Sequence, residues 1–382
     1  MLKLSGGKLV FSLGVRNIDL YLDEGKCSFE EKKHQDYKFV DCEGLYVLPG
    51  FVDQHIHGAK SIDFSNCTID QLSEISLLLA SRGVTSFVPT LTTLNHENTL
   101  KALKIISENA DLLPGARIAG IHMEGPYLNP VYAGAQNVGA MRSASISEIE
   151  EYIKASEEKL SLITLSPEII NDNDFLRFLK DKKIKVNIGH SGATFKQCNE
   201  ALLAGAGCVT HFLNGMREFH QHEPSIFGAS VLASNFIEII CDGYHLVPDT
   251  IRVVKQIFGS DRIILVSDSI PAAGLGDGEY QFDCFAEDVV IVNGDAQLKD
   301  SKVRAGSTLF MDTAFKNFIK YTECSLSECV QCTSLNSLKY LGLDNKKGEL
   351  SEGNDADIVI LDADFNVVYT IVNGIIVYSK KE

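Results

Sequence analysis

The chain has little of what marks a membrane, secreted or nucleic-acid-binding protein. No apolar run approaches the roughly 18 residues that cross a bilayer, and the opening MLKLSGGKLV lacks the continuous apolar segment of a signal peptide. Both absences predict a cytoplasmic protein with no membrane partner. Positive charge is also short: 35 Lys+Arg against 51 Asp+Glu give a formal net charge of −16, which argues against nucleic acid or anionic lipid as a partner held by overall charge. An anionic small substrate would need a local positive pocket. The ten cysteines are scattered through 382 residues and form no compact disulfide framework. In a reducing compartment they are expected to remain thiols, most of them as small core residues. There is no low-complexity linker, and no repeat beyond a strand–helix period.

One cysteine group is closer: Cys324, Cys329 and Cys332 share a spacing with some iron–sulfur and zinc sites. Ser325 and Glu328 form a capping box, however, and the run through Leu338 reads as a helix that stacks Cys329 and Cys332 one turn apart. Helix packing is therefore the expectation for these thiols.

What is present is an apolar fraction of 45% with 23% charged residues, enough for one large domain and a smaller one. Residues 1 to about 48 read as short strands broken at Gly6-Gly7, Asp23-Glu24-Gly25 and Glu43-Gly44. Beyond them, strand-like runs at 46–53, 84–90, 117–124, 160–166, 185–190, 208–213, 237–242 and 263–268 alternate with amphipathic stretches at 70–82, 96–110, 147–158, 172–183, 195–206 and 248–258. Eight strands in this rhythm predict an α/β fold, a (β/α)8 TIM-like barrel over 49–344. A β-hairpin insertion is expected near 277–303, turning at Asn293-Gly294, before a last barrel helix at 308–321. The tail has another Asn-Gly turn, at Asn373-Gly374, and residues 345–382 are expected to pair with 1–48 as a small β-sandwich domain.

Barrel active sites collect at the C-terminal ends of the strands, and there the sequence places an unusual set of side chains. PGFVDQHIHG puts His55 and His57 at positions i and i+2, on one side of an extended chain. Glu124 ends the third strand in HMEGP, His190 the fifth in GHSGAT, and His211 the sixth in THFLNGM. His245 follows the seventh in CDGYH, and Asp268 ends the eighth in VSDS. Together these suit a hydrolytic divalent metal, Zn, Fe or Mn, with nitrogen and oxygen ligands. Glu124, His190 and His211 can serve one ion; His55 and His57 can hold a second, with Glu124 or Asp268 nearby. His122 lies deeper in its strand and reads as a support for a ligand. His34, His96 and His220 have no strand-end position, and surface or loop roles are expected for the first two.

These motifs, with VSDSIPAAGLGDGEY, resemble the N-acetylglucosamine-6-phosphate deacetylases of the amidohydrolase superfamily, from about Leu48 to Asp362. The resemblance implies a metal site of Glu124, His190 and His211, Asp268 as catalytic acid and base, and one or two ions per chain because the His55/His57 pair is kept. It implies hydrolysis of the N-acetyl group of an amino sugar, N-acetylglucosamine 6-phosphate, to glucosamine 6-phosphate and acetate, with His245 assisting at the oxyanion and a homodimer as the assembly. Family members carry a phosphate-gripping arginine in a stretch resembling HHREPG; here HQHEPS puts His222 at that position and Ser225 at the glycine. Arg217, His220, or the backbone at Asn214 and Gly215 are the candidate replacements. Gln136 stands where the family has a substrate-contacting histidine; it can hydrogen-bond but carries no charge. The alternatives are N-acetylgalactosamine 6-phosphate or an unphosphorylated N-acetyl sugar as substrate. A cyclic-amide hydrolase is disfavoured because LSLITLSPE offers no lysine at the end of the fourth strand, and a non-catalytic binding protein because Asp268 and every proposed ligand are retained.

Overall fold

The first long apolar run divides at Gly50 in the computed structural model, which describes residues 1–32, 36–170 and 173–380. Tyr46–Pro49 joins an outer sheet, and Phe51–Ile56 turns away from it as the first barrel strand, β1. A Cβ at Gly50 would lie 2.1 Å from the Thr85 methyl, so only glycine lets the chain change sheets there. The strand expected over 46–53 is thus two strands in two sheets. His34 and the start of the helix expected at 172 lie outside the described residues.

Seven parallel strands follow β1: β2 (Val84–Leu91), β3 (Ile121–Glu124), β4 (Leu160–Leu165), β5 (Lys185–Ile188), β6 (Cys208–Val209), β7 (Phe236–Ile240) and β8 (Ile263–Val266). Each pairs with the next from β1 through β8. The ring is nearly closed between β8 and β1, where the Asp268 N–H donates to the His55 carbonyl at 2.8 Å and the Ser267 N–H to Asp53 Oδ1 at 3.1 Å. All eight residues of β2 are buried, as a strand covered on both faces requires. The third strand is shorter than expected because Gly120, at φ 154°, separates Arg117–Ile118 from β3. The sixth is only two residues long, because the chain turns at His211 (φ 29°) and Leu213 (φ 73°).

Helices α1 (Ile69–Ser81), α2 (His96–Asn109), α3 (Ile146–Ala155), α4 (Asn173–Asp181), α5 (Phe195–Ala204), α6 (Ser225–Leu232), α7 (Pro248–Phe258) and α8 (Met311–Thr322) connect the strands. Capping boxes at Thr68/Gln71 and Thr194/Gln197 start α1 and α5, satisfying first-turn N–H groups that have no partner within the helix. Sequence periodicity misses α6. The Ser325/Glu328 capping box opens a helical run over Leu326–Val330, Gln331–Leu335 and Asn336–Leu341, and Cys329 and Cys332 are buried against the barrel. Among the described residues no cysteine joins a group with metal-ligand geometry, and no helix is long and apolar enough to cross a membrane.

Outside the barrel, N- and C-terminal strands share a six-stranded sheet in which Tyr46–Pro49 pairs antiparallel with Ile358–Leu361. A four-stranded sheet packs on it around Leu4, Leu20, Leu22, Val47, Ile358 and Ile360. The fold is a TIM-like barrel with a small sheet domain. The insertion is a three-stranded sheet of Gly278–Tyr280, Val289–Val292 and Asp295–Leu298, turning at Asn293-Gly294 with both residues at positive φ. Its own core, Val289, Ile291, Ala296, Leu298 and Ala305, packs on Ile270 and Ala272 just past β8.

Candidate active site

Three strands deliver their functional side chains in the same way. His190, His211 and Asp268 each come two residues after β5, β6 and β8 and have φ of 47°, 29° and 46°. Left-handed backbone costs a non-glycine residue roughly 1–3 kcal/mol and persists where surrounding structure enforces it, often at functional sites. Here it turns each side chain into the barrel mouth. Glu124 ends β3, His55 lies within β1 and His57 just past it.

The four imidazoles are oriented by what their Nδ1 atoms touch. His57 Nδ1 donates to the Thr90 carbonyl at 3.1 Å, His190 Nδ1 to the Tyr132 carbonyl at 2.8 Å, and His211 Nδ1 to the Asn214 carbonyl at 3.1 Å. His55 Nδ1 donates to the buried carboxylate of Glu238 at 3.0 Å. Carbonyls only accept, so these protons sit on Nδ1 and every Nε2 points inward. His190 and His211 Nε2 lie 3.1 Å apart and each 3.1 Å from Glu124 Oε1; His55 and His57 Nε2 lie 3.3 Å apart. His57 Nε2 is also 3.1 Å from Glu124 Oε2 and 3.3 Å from Asp268 Oδ1. Nitrogen lone pairs that close repel unless a proton or a cation lies between them.

The charges respond accordingly. Burial would push Glu124 and Asp268 up, but neighbouring imidazoles outweigh it: His55 and His190 hold Glu124 well below the usual carboxylate range, and His55 and His57 hold Asp268 low. Burial opposes a charge on His57, yet hydrogen bonds to Asp268 and Glu124 raise it to about 9. His55 and His190 are raised against the same burial by the same carboxylates. Two anions therefore collect cations into one buried point. Two groups have metal-ligand geometry, Glu124/His190/His211 and His55/His57/Asp268, all buried, with donor atoms within 4.8 Å in each. The donor set fits a divalent ion.

His122 is set apart. Its Nδ1 and Nε2 meet the hydroxyls of Thr90 and Thr164 at 3.1 and 2.8 Å, and burial followed by the charge of His55 hold it well below its ordinary value. It packs edge-on against His55 with ring centroids 4.9 Å apart, the supporting place expected of it. His96 is bound to Tyr152 and Glu151 near the start of α2.

A cavity of about 260 Å³ opens above the cluster. His57, Glu124, His190, His211 and Asp268 line its floor, and His245, Asn214, Gly215 and Gln136 line its walls. His245 Nδ1 is held by Asp242 at 2.7 Å, leaving Nε2 available. The Gln136 amide is largely engaged by the protein: Nε2 donates to Glu124 Oε2 and Oε1 accepts from the Thr93 N–H at 2.8 Å. Gly215 sits at φ 56°, where a Cβ would come within 3.2 Å of His190 Nδ1, so glycine is the relaxed residue there. The lining leaves out His55, which is fully buried, and the substrate-side candidates Arg217, His220 and His222. Arg217 faces a separate hollow with His220 and donates Nε to the Gly192 carbonyl at 2.6 Å, and His222 sits on the exposed loop beside Gln221. In their place the lining includes Lys302 and Arg304 from the insertion, and Glu238 stands behind His55. Sequence reasoning missed all three. Only Glu238 left a signal, as an acid within the apolar strand FIEII.

Residues 46–377 match the Amidohydrolase family. The chain belongs to the amidohydrolase family. The chain is 34% identical over 342 residues to the N-acetylglucosamine-6-phosphate deacetylase of Bacillus subtilis (strain 168), covering 88% of this chain and 85% of that one. It is 33% identical over 330 residues to the N-acetylgalactosamine-6-phosphate deacetylase of Escherichia coli O157:H7, 86% of each. Among solved amidohydrolase structures, the N-acetylglucosamine-6-phosphate deacetylase of Thermotoga maritima superposes with a TM-score of 0.90 at 34% identity, over 99% of this chain and 100% of that one.

Proposed function

We propose that the chain hydrolyses the acetamide of N-acetylglucosamine 6-phosphate, giving glucosamine 6-phosphate and acetate. The observation that carries this reading is one cavity floored by two carboxylates and the imidazoles of His57, His190 and His211, with His55 buried beside them, in a chain whose deacetylase relatives align over most of its length. Glu124, His190 and His211 would hold one divalent ion, and His55, His57 and Asp268 border a second place; N and O donors of this kind suit Zn, Fe or Mn. Such an ion supplies Lewis acidity toward the acetamide carbonyl and toward water at neutral pH.

The protein's own part is positional and acid–base. Asp268 is kept ionised on the cavity floor, so its carboxylate is ready to take a proton from the attacking water. It then returns that proton to the departing amine, which leaves poorly as an anion. Its place is fixed from both sides, by its N–H on the His55 carbonyl and its carbonyl accepting the Ser307 N–H, each at 2.8 Å. His245, anchored by Asp242, presents Nε2 to the developing oxyanion.

Acetate release from N-acetylglucosamine 6-phosphate, N-acetylgalactosamine 6-phosphate and N-acetylglucosamine tests the proposal. The first is expected to have the highest kcat/KM. A higher value for the galacto sugar moves the chain to the alternative its relative in Escherichia coli O157:H7 represents, and a preference for the unphosphorylated sugar defeats the substrate assignment.

A further inference from the structure

We propose that Lys302 and Arg304, on the loop that follows Asp295–Leu298 in the insertion, form the anion subsite that receives the substrate phosphate, in place of His222. The inference rests on the phosphosugar deacetylase reading above and names the part of the cavity that recognises the phosphate.

Among the described residues, Lys302 and Arg304 are the only lysine or arginine lining the cavity floored by Glu124 and Asp268. A chain of net charge −16 repels a dianion at long range, so cations at the cavity mouth favour its binding. Arg304 is held in place by Asp295, through Nε to Oδ1 at 2.9 Å and Nη2 to Oδ2 at 3.2 Å, which leaves its Nη1 end for a ligand. Lys302 is exposed, and among the described residues its ammonium makes no ion pair or side-chain hydrogen bond. The neighbouring carboxylate of Glu287 accepts instead from the backbone N–H groups of Asp300 and Ser301 at 2.8 and 2.9 Å. Lys302 is therefore a rim cation with no close ion pair, although its charge is felt by the Glu287 carboxylate.

Lys302 has φ 59° in the turn that follows Asp295–Leu298, a conformation in which glycine is the relaxed choice. The loop is rigidly tied to the reacting groups: the Leu298 N–H meets the Val303 carbonyl at 2.8 Å, and Ser307, three residues after Arg304, donates its N–H to the Asp268 carbonyl at 2.8 Å. The 2-acetamide and the 6-phosphate project from opposite sides of a pyranose ring, which matches a floor of acids and imidazoles with a cationic rim above it.

Titration calorimetry of the metal-loaded protein with glucosamine 6-phosphate and with glucosamine is the test. Wild type is expected to prefer the phosphorylated sugar. Lys302→Met and Lys302→Gly should each weaken glucosamine 6-phosphate about 10- to 100-fold, the worth of a charge-assisted hydrogen bond, and change glucosamine less than about threefold. Lys302→Gly should melt no lower than wild type, because glycine relieves the strain. His222→Ala should leave both affinities within about threefold. Unchanged phosphosugar binding in both Lys302 variants, or loss in His222→Ala alone, overturns the subsite. Acetate release is read separately: a wild type that binds glucosamine 6-phosphate through Lys302 but releases no acetate refutes the deacetylase reading and leaves the subsite standing.

Discussion

Glu238→Gln is the sharpest probe of how the histidine cluster is built. Glu238 is fully buried on β7, where Oε2 accepts from His55 Nδ1 at 3.0 Å while Oε1 accepts from Gln54 Nε2 at 2.7 Å and Asn187 Nδ2 at 3.0 Å. Asn187 Oδ1 in turn accepts from the Tyr340 hydroxyl at 2.7 Å, so the contact is backed by a polar chain running through the barrel. Glutamine keeps the shape and replaces one acceptor with a donor. If its oxygen stays on His55, its NH2 faces two other NH2 groups; if its NH2 turns to His55, the imidazole must carry its proton on Nε2 and cannot ligate. The first arrangement leaves a buried NH2 mismatched, at about 1–3 kcal/mol of stability; the second satisfies the amide, and the Nε2–H then faces Glu124 and Asp268. Loss of a partner behind a metal-bound histidine typically lowers metal affinity about 10–100-fold. The loss should be confined to the His55/His57 place, because His190 and His211 are oriented by the carbonyls of Tyr132 and Asn214. Metal content by mass spectrometry after dialysis at graded metal concentration reads this directly. Affinities unchanged within twofold would refute the claim that Glu238 sets the His55 tautomer.

Three further outcomes are expected. Asp268→Asn should lower kcat by about 10²–10⁴, the range for a lost acid–base group, while metal analysis still finds the ion at Glu124, His190 and His211. Gly215→Ala adds a Cβ 3.2 Å from His190 Nδ1 and 3.4 Å from His211 Cε1 at φ 56°, and should weaken metal binding about tenfold, measured by chelator competition. Asp357 accepts from Arg117 Nη2 at 2.7 Å, Lys347 Nζ at 2.8 Å and the Asn373 N–H at 2.8 Å. Burial would raise it, but Lys347 and Arg117 hold it below the ordinary value. That contribution is complete above the unfolded value of about 3.9 and is lost as pH falls through the lower folded value. With Arg117 part-exposed, Asp357→Asn should cost about 2 kcal/mol at pH 7, and the difference in denaturant midpoint should shrink as pH falls below about 4.

The barrel was legible because strand and helix periods alternate cleanly; the helix expected over 248–258 is α7 at those residues. The cluster of histidines and carboxylates was legible because strand ends are adjacent in space in this fold, so His55, Glu124, His190, His211 and Asp268 needed no long-range contact to be grouped. Other features depend on contacts a linear pattern does not hold. SIFGASVL in α6 has no polar face to set a period, and the sheet change at Gly50 is decided by Thr85 on another strand. His222 holds its place in a motif but sits on a loop outside the cavity lining, while Lys302 and Arg304 reach the cavity because the insertion folds back over β8. Gln136 lines the cavity, and its hydrogen bonds to Glu124 and the Thr93 N–H are contacts the linear pattern does not hold.

Acetate release from N-acetylglucosamine 6-phosphate, measured on one preparation as purified, after chelation, and after return of a divalent metal, tests the central claim most directly. The account predicts release that vanishes on chelation, returns with the metal, and stays near background in Asp268→Asn under all three conditions. Release that survives complete metal removal, or an Asp268→Asn variant as active as wild type, would contradict it.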